Sequence, residues 1–73
     1  MQAIDSRTGE SIGVGDLVGC PSHREYWRVV GFDTDPIGRS CAVLEPVGMR
    51  GTWMKPLEDD GTIGGLWKVD TAS

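Results

Sequence analysis

The segment Tyr26-Trp27-Arg28-Val29-Val30-Gly31-Phe32 is the clearest strand in this chain. Its β-branched and aromatic side chains favour extended backbone in a packed sheet. Alternation places Trp27 and Val29 on one face and Val30 and Phe32 on the other, so both faces are apolar. We therefore expect this strand to be central in its sheet, or to lie where the sheet folds back on itself.

Shorter apolar runs lie on both sides of this segment, and turn residues separate them. Glycine, which enters left-handed turn conformations without steric cost, occurs 11 times in 73 residues. No run has the i, i+3, i+4, i+7 apolar spacing of an amphipathic helix. The pattern predicts an all-β chain of about five short antiparallel strands, with at most one 3₁₀ turn near residues 56–61. The predicted strands cover residues 12–18, 26–32, 41–45, 52–55 and 66–69.

The length predicts one small domain, residues 1–73, with no internal repeat or linker. Closing its sheet into a barrel removes the unpaired edge strands that promote aggregation, so we expect a small barrel. Its interior has to accommodate many apolar side chains. The candidates are Val14, Leu17, Val18, Val29, Val30, Phe32, Val43, Leu44, Leu57, Ile63 and Val69.

Two segments resemble a known family of small barrels. Gly13-Val14-Gly15-Asp16-Leu17-Val18, followed by the strand from Trp27 to Phe32, is similar to the opening of SH3-like barrels of the KOW and Tudor kind. Trp53-Met54-Lys55-Pro56-Leu57-Glu58 resembles their late strand and 3₁₀ turn. The resemblance implies a binding domain, often for nucleic acid. As a small glycine-rich chain, the protein also resembles phage-encoded accessory proteins.

Charge and cysteine content narrow the class of partner and the compartment. Eleven acidic and seven basic side chains give a net charge of −4, which disfavours nonspecific binding to nucleic acid or anionic membranes. Residues 1–5 lack the basic and apolar regions of a signal peptide, and no run is long enough to span a membrane. We therefore expect a cytoplasmic protein with Cys20 and Cys41 as free thiols; a bridge between them is the alternative.

The tryptophans give the most specific prediction of a binding surface. Three indoles do not fit inside a barrel already filled by smaller side chains, so at least one of Trp27, Trp53 and Trp67 should be partly exposed. Exposed Trp and Arg are enriched in binding hot spots. The predicted surface is centred on Trp27, whose alternative role is to cover one end of the barrel. It comprises His23, Arg24, Tyr26, Trp27, Arg28, Trp53 and Trp67.

Other side chains suggest chemistry only weakly. Cys20-Pro21-Ser22-His23 has the spacing of a zinc half-site, but with Cys41 it provides three ligands where a structural site needs four. We expect no metal and no cofactor. Glu58, Asp59 and Asp60 form an acidic surface with three alternative roles: to aid solubility, to bind a divalent cation weakly, or to imitate phosphates toward a basic partner. With one histidine and no nucleophile motif, we expect no enzymatic activity.

The leading hypothesis is a non-enzymatic protein-binding module, acting on another protein or on a second copy of itself. One alternative is a nucleic-acid-binding barrel that uses its aromatic and arginine side chains as a stacking platform. Another is a phage inhibitor of a host nucleic-acid-handling machine, with the acidic turn acting as the phosphate mimic.

Overall fold

The structure is a computed structural model that describes residues 3–20 and 25–69. Those residues form seven short β-strands and no helix, which confirms the predicted all-β class. Within them, no helix is long and apolar enough to cross a bilayer. The strands are β1 (Ala3–Ile4), β2 (Ser11–Ile12), β3 (Leu17–Gly19), β4 (Tyr26–Thr34), β5 (Ser40–Pro46), β6 (Trp53–Pro56) and β7 (Trp67–Val69).

The strands form two antiparallel sheets. In the larger sheet the order is β6-β5-β4-β3-β7, so β4 is central, as its two apolar faces predicted. Four of the predicted strands correspond to β4, β5, β6 and β7. The strand predicted over residues 12–18 is interrupted by a turn, and its first residue belongs to β2 while its last two belong to β3. The smaller sheet is a hairpin of β1 and β2, in which Ala3 pairs with Ile12.

The expected closure into a barrel is wrong, because β6 and β7 lie at opposite edges of the large sheet. The N-terminal hairpin occupies the edge that closure would need. The Lys68 N–H of β7 donates to Asp5 Oδ2 (2.9 Å) rather than to another strand. On the other side of the hairpin, the Ile4 N–H donates to the Gly61 carbonyl (2.9 Å). The hairpin therefore covers the open side of the sheet.

A β-bulge in β4 corrects the predicted faces of that strand. Val29 pairs with Leu44, but the register then shifts, and Phe32 pairs with Ala42. Leu44 and Ala42 share one face of β5, so the extra residue returns Phe32 to the face of Val29. Phe32 accordingly packs against the core, and Val30 is exposed.

The core lies between the large sheet and the N-terminal hairpin. Its buried apolar side chains are small or medium in size: Ala3, Ile12, Val18, Val29, Cys41, Ala42, Leu44, Ile63 and Leu66. Val18, Val29, Leu44 and Ile63 were expected there. Val14 was also expected inside but is exposed, since it lies in the turn between β2 and β3.

The turn at residues 5–10 is built around Asp5, which is 1% exposed. Asp5 Oδ1 accepts hydrogen bonds from the N–H groups of Arg7 (2.7 Å) and Thr8 (3.3 Å). Gly9, at a φ of 78°, donates its N–H to the Asp5 carbonyl (2.8 Å) and adopts a backbone conformation that favours glycine. Asp5 thus joins the hairpin turn to β7.

Candidate protein-binding surface

Trp27 and Trp53 form an aromatic pair at one end of the sheet. Trp27 on β4 and Trp53 on β6 lie on the core face of the sheet, on either side of β5. Their ring centroids are 5.7 Å apart, and the planes are tilted by 55°, within the range that aromatic pairs prefer. Trp27 packs against the core and is half-buried, whereas Trp53 is 43% exposed. The prediction that the indoles are not all enclosed is therefore confirmed.

A groove of about 250 Å³ continues this surface past the start of β4. Tyr26 and Trp27 line one side of it, and Val47 and Met49 line the other. The Val47 N–H donates to the Tyr26 carbonyl (3.0 Å), which fixes the turn after β5 beside these rings. Val47 and Met49 are both exposed, and the carboxylate-bearing Glu25 also lines the groove.

A second groove, of about 240 Å³, lies between Tyr26 and Trp67 on the opposite face of the sheet. Gly19 of β3 pairs with Tyr26 on one side and with Trp67 on the other. A Cβ at Gly19 would lie 2.7 Å from Tyr26 Cδ1, so the Tyr26 ring rests directly against the glycine. Because Gly19 has no side chain, its backbone forms the floor of the groove between Tyr26 and Trp67.

Together, Trp53, Trp27, Tyr26 and Trp67 form a continuous surface, which we call the aromatic band. It wraps around the end of the sheet from β6 to β7, a distance of four strand spacings or about 19 Å. A cation lies over the indole at each end: Lys55 Nζ is 5.1 Å from the Trp53 ring centroid, and Arg7 Cζ is 4.8 Å from that of Trp67.

The structure brings together the four predicted aromatic residues but not the whole predicted set. Arg28 is exposed and donates from Nη1 to the Gly15 carbonyl (3.0 Å), and it lines a separate groove with Met49 and Arg50. His23 and Arg24 lie outside the described residues. The sequence prediction missed Val47, Met49, Arg7 and Lys55; the one available signal was a Met within a glycine-containing turn, between Gly48 and Arg50.

The predicted acidic surface lies at the other end of the sheet. The turn that carries Glu58, Asp59 and Asp60 packs beside the loop at residues 35–39, and the Leu57 N–H donates to the Ser40 carbonyl (2.9 Å). This acidic end has five carboxylates and one cation, Arg39, so its net charge is −4, equal to that of the whole chain. The carboxylates are those of Asp33, Asp35, Glu58, Asp59 and Asp60.

Two of these carboxylates are engaged within their own turns. Asp60 accepts hydrogen bonds from the Thr62 hydroxyl (2.7 Å) and N–H (3.0 Å), which lower its pKa. Burial alone would raise the pKa of Asp35, but hydrogen bonds and the charge of Arg39 together lower it. Both groups stay ionised at neutral pH and keep this end strongly negative.

The described residues do not form a metal-binding cluster. No three His, Cys, Asp or Glu side chains within residues 3–20 and 25–69 are placed to hold an ion. The buried carboxylate, Asp5, already accepts three backbone N–H groups. No disulfide joins Cys20 to Cys41 in this part of the chain; the buried Cys41 thiol donates to the Arg39 carbonyl (3.6 Å).

Known proteins provide no relative from which a role can be transferred. No protein-family model matches the chain, and neither a curated protein nor a solved structure is significantly similar to it. Its function therefore has to be inferred from the aromatic band and from the charge around it.

Proposed function

We propose that this chain is a non-enzymatic, cytoplasmic protein-binding module that docks through its aromatic band. The observation that carries the proposal is the gathering of Tyr26 and all three tryptophans at one end of the sheet, with two grooves between them. Scattered exposed apolar residues are normal on a protein surface, but a contiguous apolar patch marks an interaction site.

The band has the physical properties of a binding hot spot. Aromatic side chains bury a large area while losing few torsional degrees of freedom, so they bind at a low entropic cost. Trp27 is held by the core and by Trp53, which limits its rearrangement on binding. Tyr26 rests on Gly19 in the same way. Such preorganisation raises affinity by reducing what must be ordered in the complex.

The sequence resemblance to KOW and Tudor domains supports a binding role, although the large sheet is not closed into a barrel. The sheet is a meander of β3, β4, β5 and β6, with β7 returning beside β3. A scaffold this small leaves little interior for a catalytic pocket and offers its surface instead. A scaffold of this size suits an accessory role toward a larger protein, of the kind that phage genomes encode.

A second candidate function uses the acidic end. Its net charge of −4 is concentrated on two adjacent turns and the end of β4, whereas the rest of the chain is neutral. A surface of this kind suits a basic protein and competes with nucleic acid for it. Charge reversal of Glu58 and Asp59 to Lys would abolish such binding and leave binding through the aromatic band intact.

The test compares two exposed apolar residues at opposite ends of the molecule. Trp53→Ala removes the most exposed indole of the band, and Ile37→Ala, at a position 76% exposed beside the acidic end, is the matched control. The full chain is immobilised and used to capture proteins from a bacterial lysate. We expect partners that Ile37→Ala retains and Trp53→Ala loses. Equal capture by both variants would refute the proposal.

Two further measurements distinguish a second copy of the chain and a nucleic acid as alternative ligands of the aromatic band. Size-exclusion chromatography with light scattering gives the molar mass, and a dimer that Trp53→Ala converts to a monomer identifies a second copy as the occupant. Titration with single-stranded and duplex oligonucleotides at low salt tests the stacking alternative. Tight binding of an oligonucleotide would identify nucleic acid, rather than a protein, as the ligand of the aromatic band.

A further inference from the structure

We infer that the aromatic band takes an extended peptide segment with an apolar centre and an acidic residue at each end. The inference rests on the proposed function and specifies the chemistry of the partner. It follows from where the structure leaves positive charge unneutralised.

The described cations fall into two groups. Arg39 is paired with Asp35 (2.8 Å), and Lys68 lies 3.7 Å from Glu10 and 3.9 Å from Asp16. The other four, Arg7, Arg28, Arg50 and Lys55, have no carboxylate of the described residues within 4.0 Å. Arg28 and Arg50 line a separate groove with Glu45, whereas Arg7 and Lys55 lie over the indoles of the aromatic band. The aromatic band therefore has two cations, Arg7 and Lys55, that are still available to a ligand.

The two cations on the indoles fix the ends of the ligand. Lys55 lies over Trp53 at the β6 end, and Arg7 lies over Trp67 at the β7 end. Arg7 also acts electrostatically on Asp5, but the oxygens of Asp5 are occupied by backbone N–H groups. The β6 and β7 backbones are four strand spacings, about 19 Å, apart across the sheet, so an extended segment needs at least about six residues to pass around its end from one indole to the other. A carboxylate at each end of such a segment reaches one cation.

The middle of the band selects an uncharged or apolar centre. The groove between Tyr26 and Met49 has a volume of about 250 Å³, enough for one or two apolar side chains. Glu25 lines the same groove and repels an acidic centre. A single-stranded nucleic acid carries a phosphate at every nucleotide, so part of its backbone would pass this carboxylate. The pattern of charge therefore favours a peptide over a nucleic acid.

The sheet edges indicate that the peptide binds through side chains rather than as an added strand. At the edge of β7, the Lys68 N–H is already bonded to Asp5. At the other edge, β6 contains Lys55 and ends in Pro56, and both residue types discourage strand addition. The aromatic band, which lies at the end of the sheet, remains the available surface.

The test uses a random heptapeptide library selected on the immobilised full chain, with the most enriched peptide then synthesised as the probe. We expect enriched sequences with Asp or Glu toward both ends and apolar or aromatic residues between. Isothermal titration at low salt should show that the variant with Arg7→Ala and Lys55→Ala binds the probe about tenfold more weakly. Arg39→Ala, which removes an ion-paired cation at the acidic end, should bind it unchanged.

A charge exchange keeps the inference testable if the double variant is poorly folded. Lys55→Glu should prefer a version of the probe with Lys at one end, and the end preferred identifies the direction of the bound peptide. Enrichment of basic or uncharged peptides, no enrichment, or tighter binding of a short oligothymidylate overturns the inference. If uncharged peptides are enriched and Trp53→Ala fails to bind them, the requirement for acidic ends is wrong, but the proposed protein-binding function is still supported.

Discussion

Replacing Asp5 with Asn tests whether one buried carboxylate holds the two sheets together. Both of its oxygens accept backbone N–H groups: Oδ1 from Arg7 and Thr8, and Oδ2 from Lys68, which is 63 residues away in the chain. An amide of the same shape places an NH₂ group against one of those donors in either orientation. The substitution therefore removes a charged acceptor and introduces a donor facing a donor.

The expected loss is large for a chain of this size. Hydrogen bonds to a charged group contribute about 1.5–3 kcal/mol each. Arg7 and Thr8 are exposed, so water can replace part of their hydrogen bonds to Asp5. We therefore assign a loss of about 3 kcal/mol in unfolding free energy to Asp5→Asn. At about 4–8 °C per kcal/mol, the melting temperature should fall by about 12–24 °C. Thermal unfolding followed by circular dichroism and tryptophan fluorescence measures this shift.

Asp35→Asn is the matched control, because Asp35 also accepts three hydrogen bonds but only from Ile37 and Arg39 in its own loop. Its loss should be much smaller, since no second element depends on it. If Asp5→Asn melts within about 2 °C of the wild type, or if Asp35→Asn loses as much, the assigned role of Asp5 is wrong.

Three further predictions concern acid stability, the Gly19 floor and the core. Burial alone would raise the pKa of Asp5, but its hydrogen bonds and the charge of Arg7 lower it below 3.8. The stabilisation of the fold by the Asp5 carboxylate is therefore complete above pH 3.8 and is lost as the pH falls through the lowered pKa. Asp5→Asn should flatten this part of an acid-unfolding curve followed by fluorescence. Gly19→Ala places a Cβ 2.7 Å from the Tyr26 ring, so it should cost about 1–3 kcal/mol in urea unfolding and change the near-ultraviolet circular dichroism of Tyr26. Leu44→Ala in the core should cost about 2–5 kcal/mol, and Val14→Ala on the surface should cost almost nothing in the same assay.

The strands of the large sheet could be predicted because each carries a run of β-branched or aromatic residues between turn residues. The hairpin of β1 and β2 could not, since two-residue strands such as Ala3–Ile4 have no periodicity. That omission also explains the error about closure. With the hairpin unrecognised, nothing in the sequence showed that Asp5 occupies the free edge of β7.

The candidate site was predictable in its residue types but not in its geometry. Trp27 and Trp53 are 26 positions apart in the chain, and their contact depends on β5 lying between their strands. The bulge between Val29 and Gly31 likewise changes which face Phe32 occupies, and Gly31, a residue type that often marks a bulge, was its one signal in the sequence. Arg7 became part of the site only through the hairpin.

The position of the aromatic residues follows from the size of the core. The fully buried interior contains two alanines, a cysteine and no aromatic ring, so the space between the sheet and the hairpin has no place for an indole. Trp27 can bury one side against that core only at the end of the sheet, where Trp53 covers part of the rest. A deeper core would enclose these rings and gain stability, but it would remove the surface that a partner can bind. The same shortage of interior volume that makes this fold depend on Asp5 therefore leaves its largest apolar side chains available for recognition.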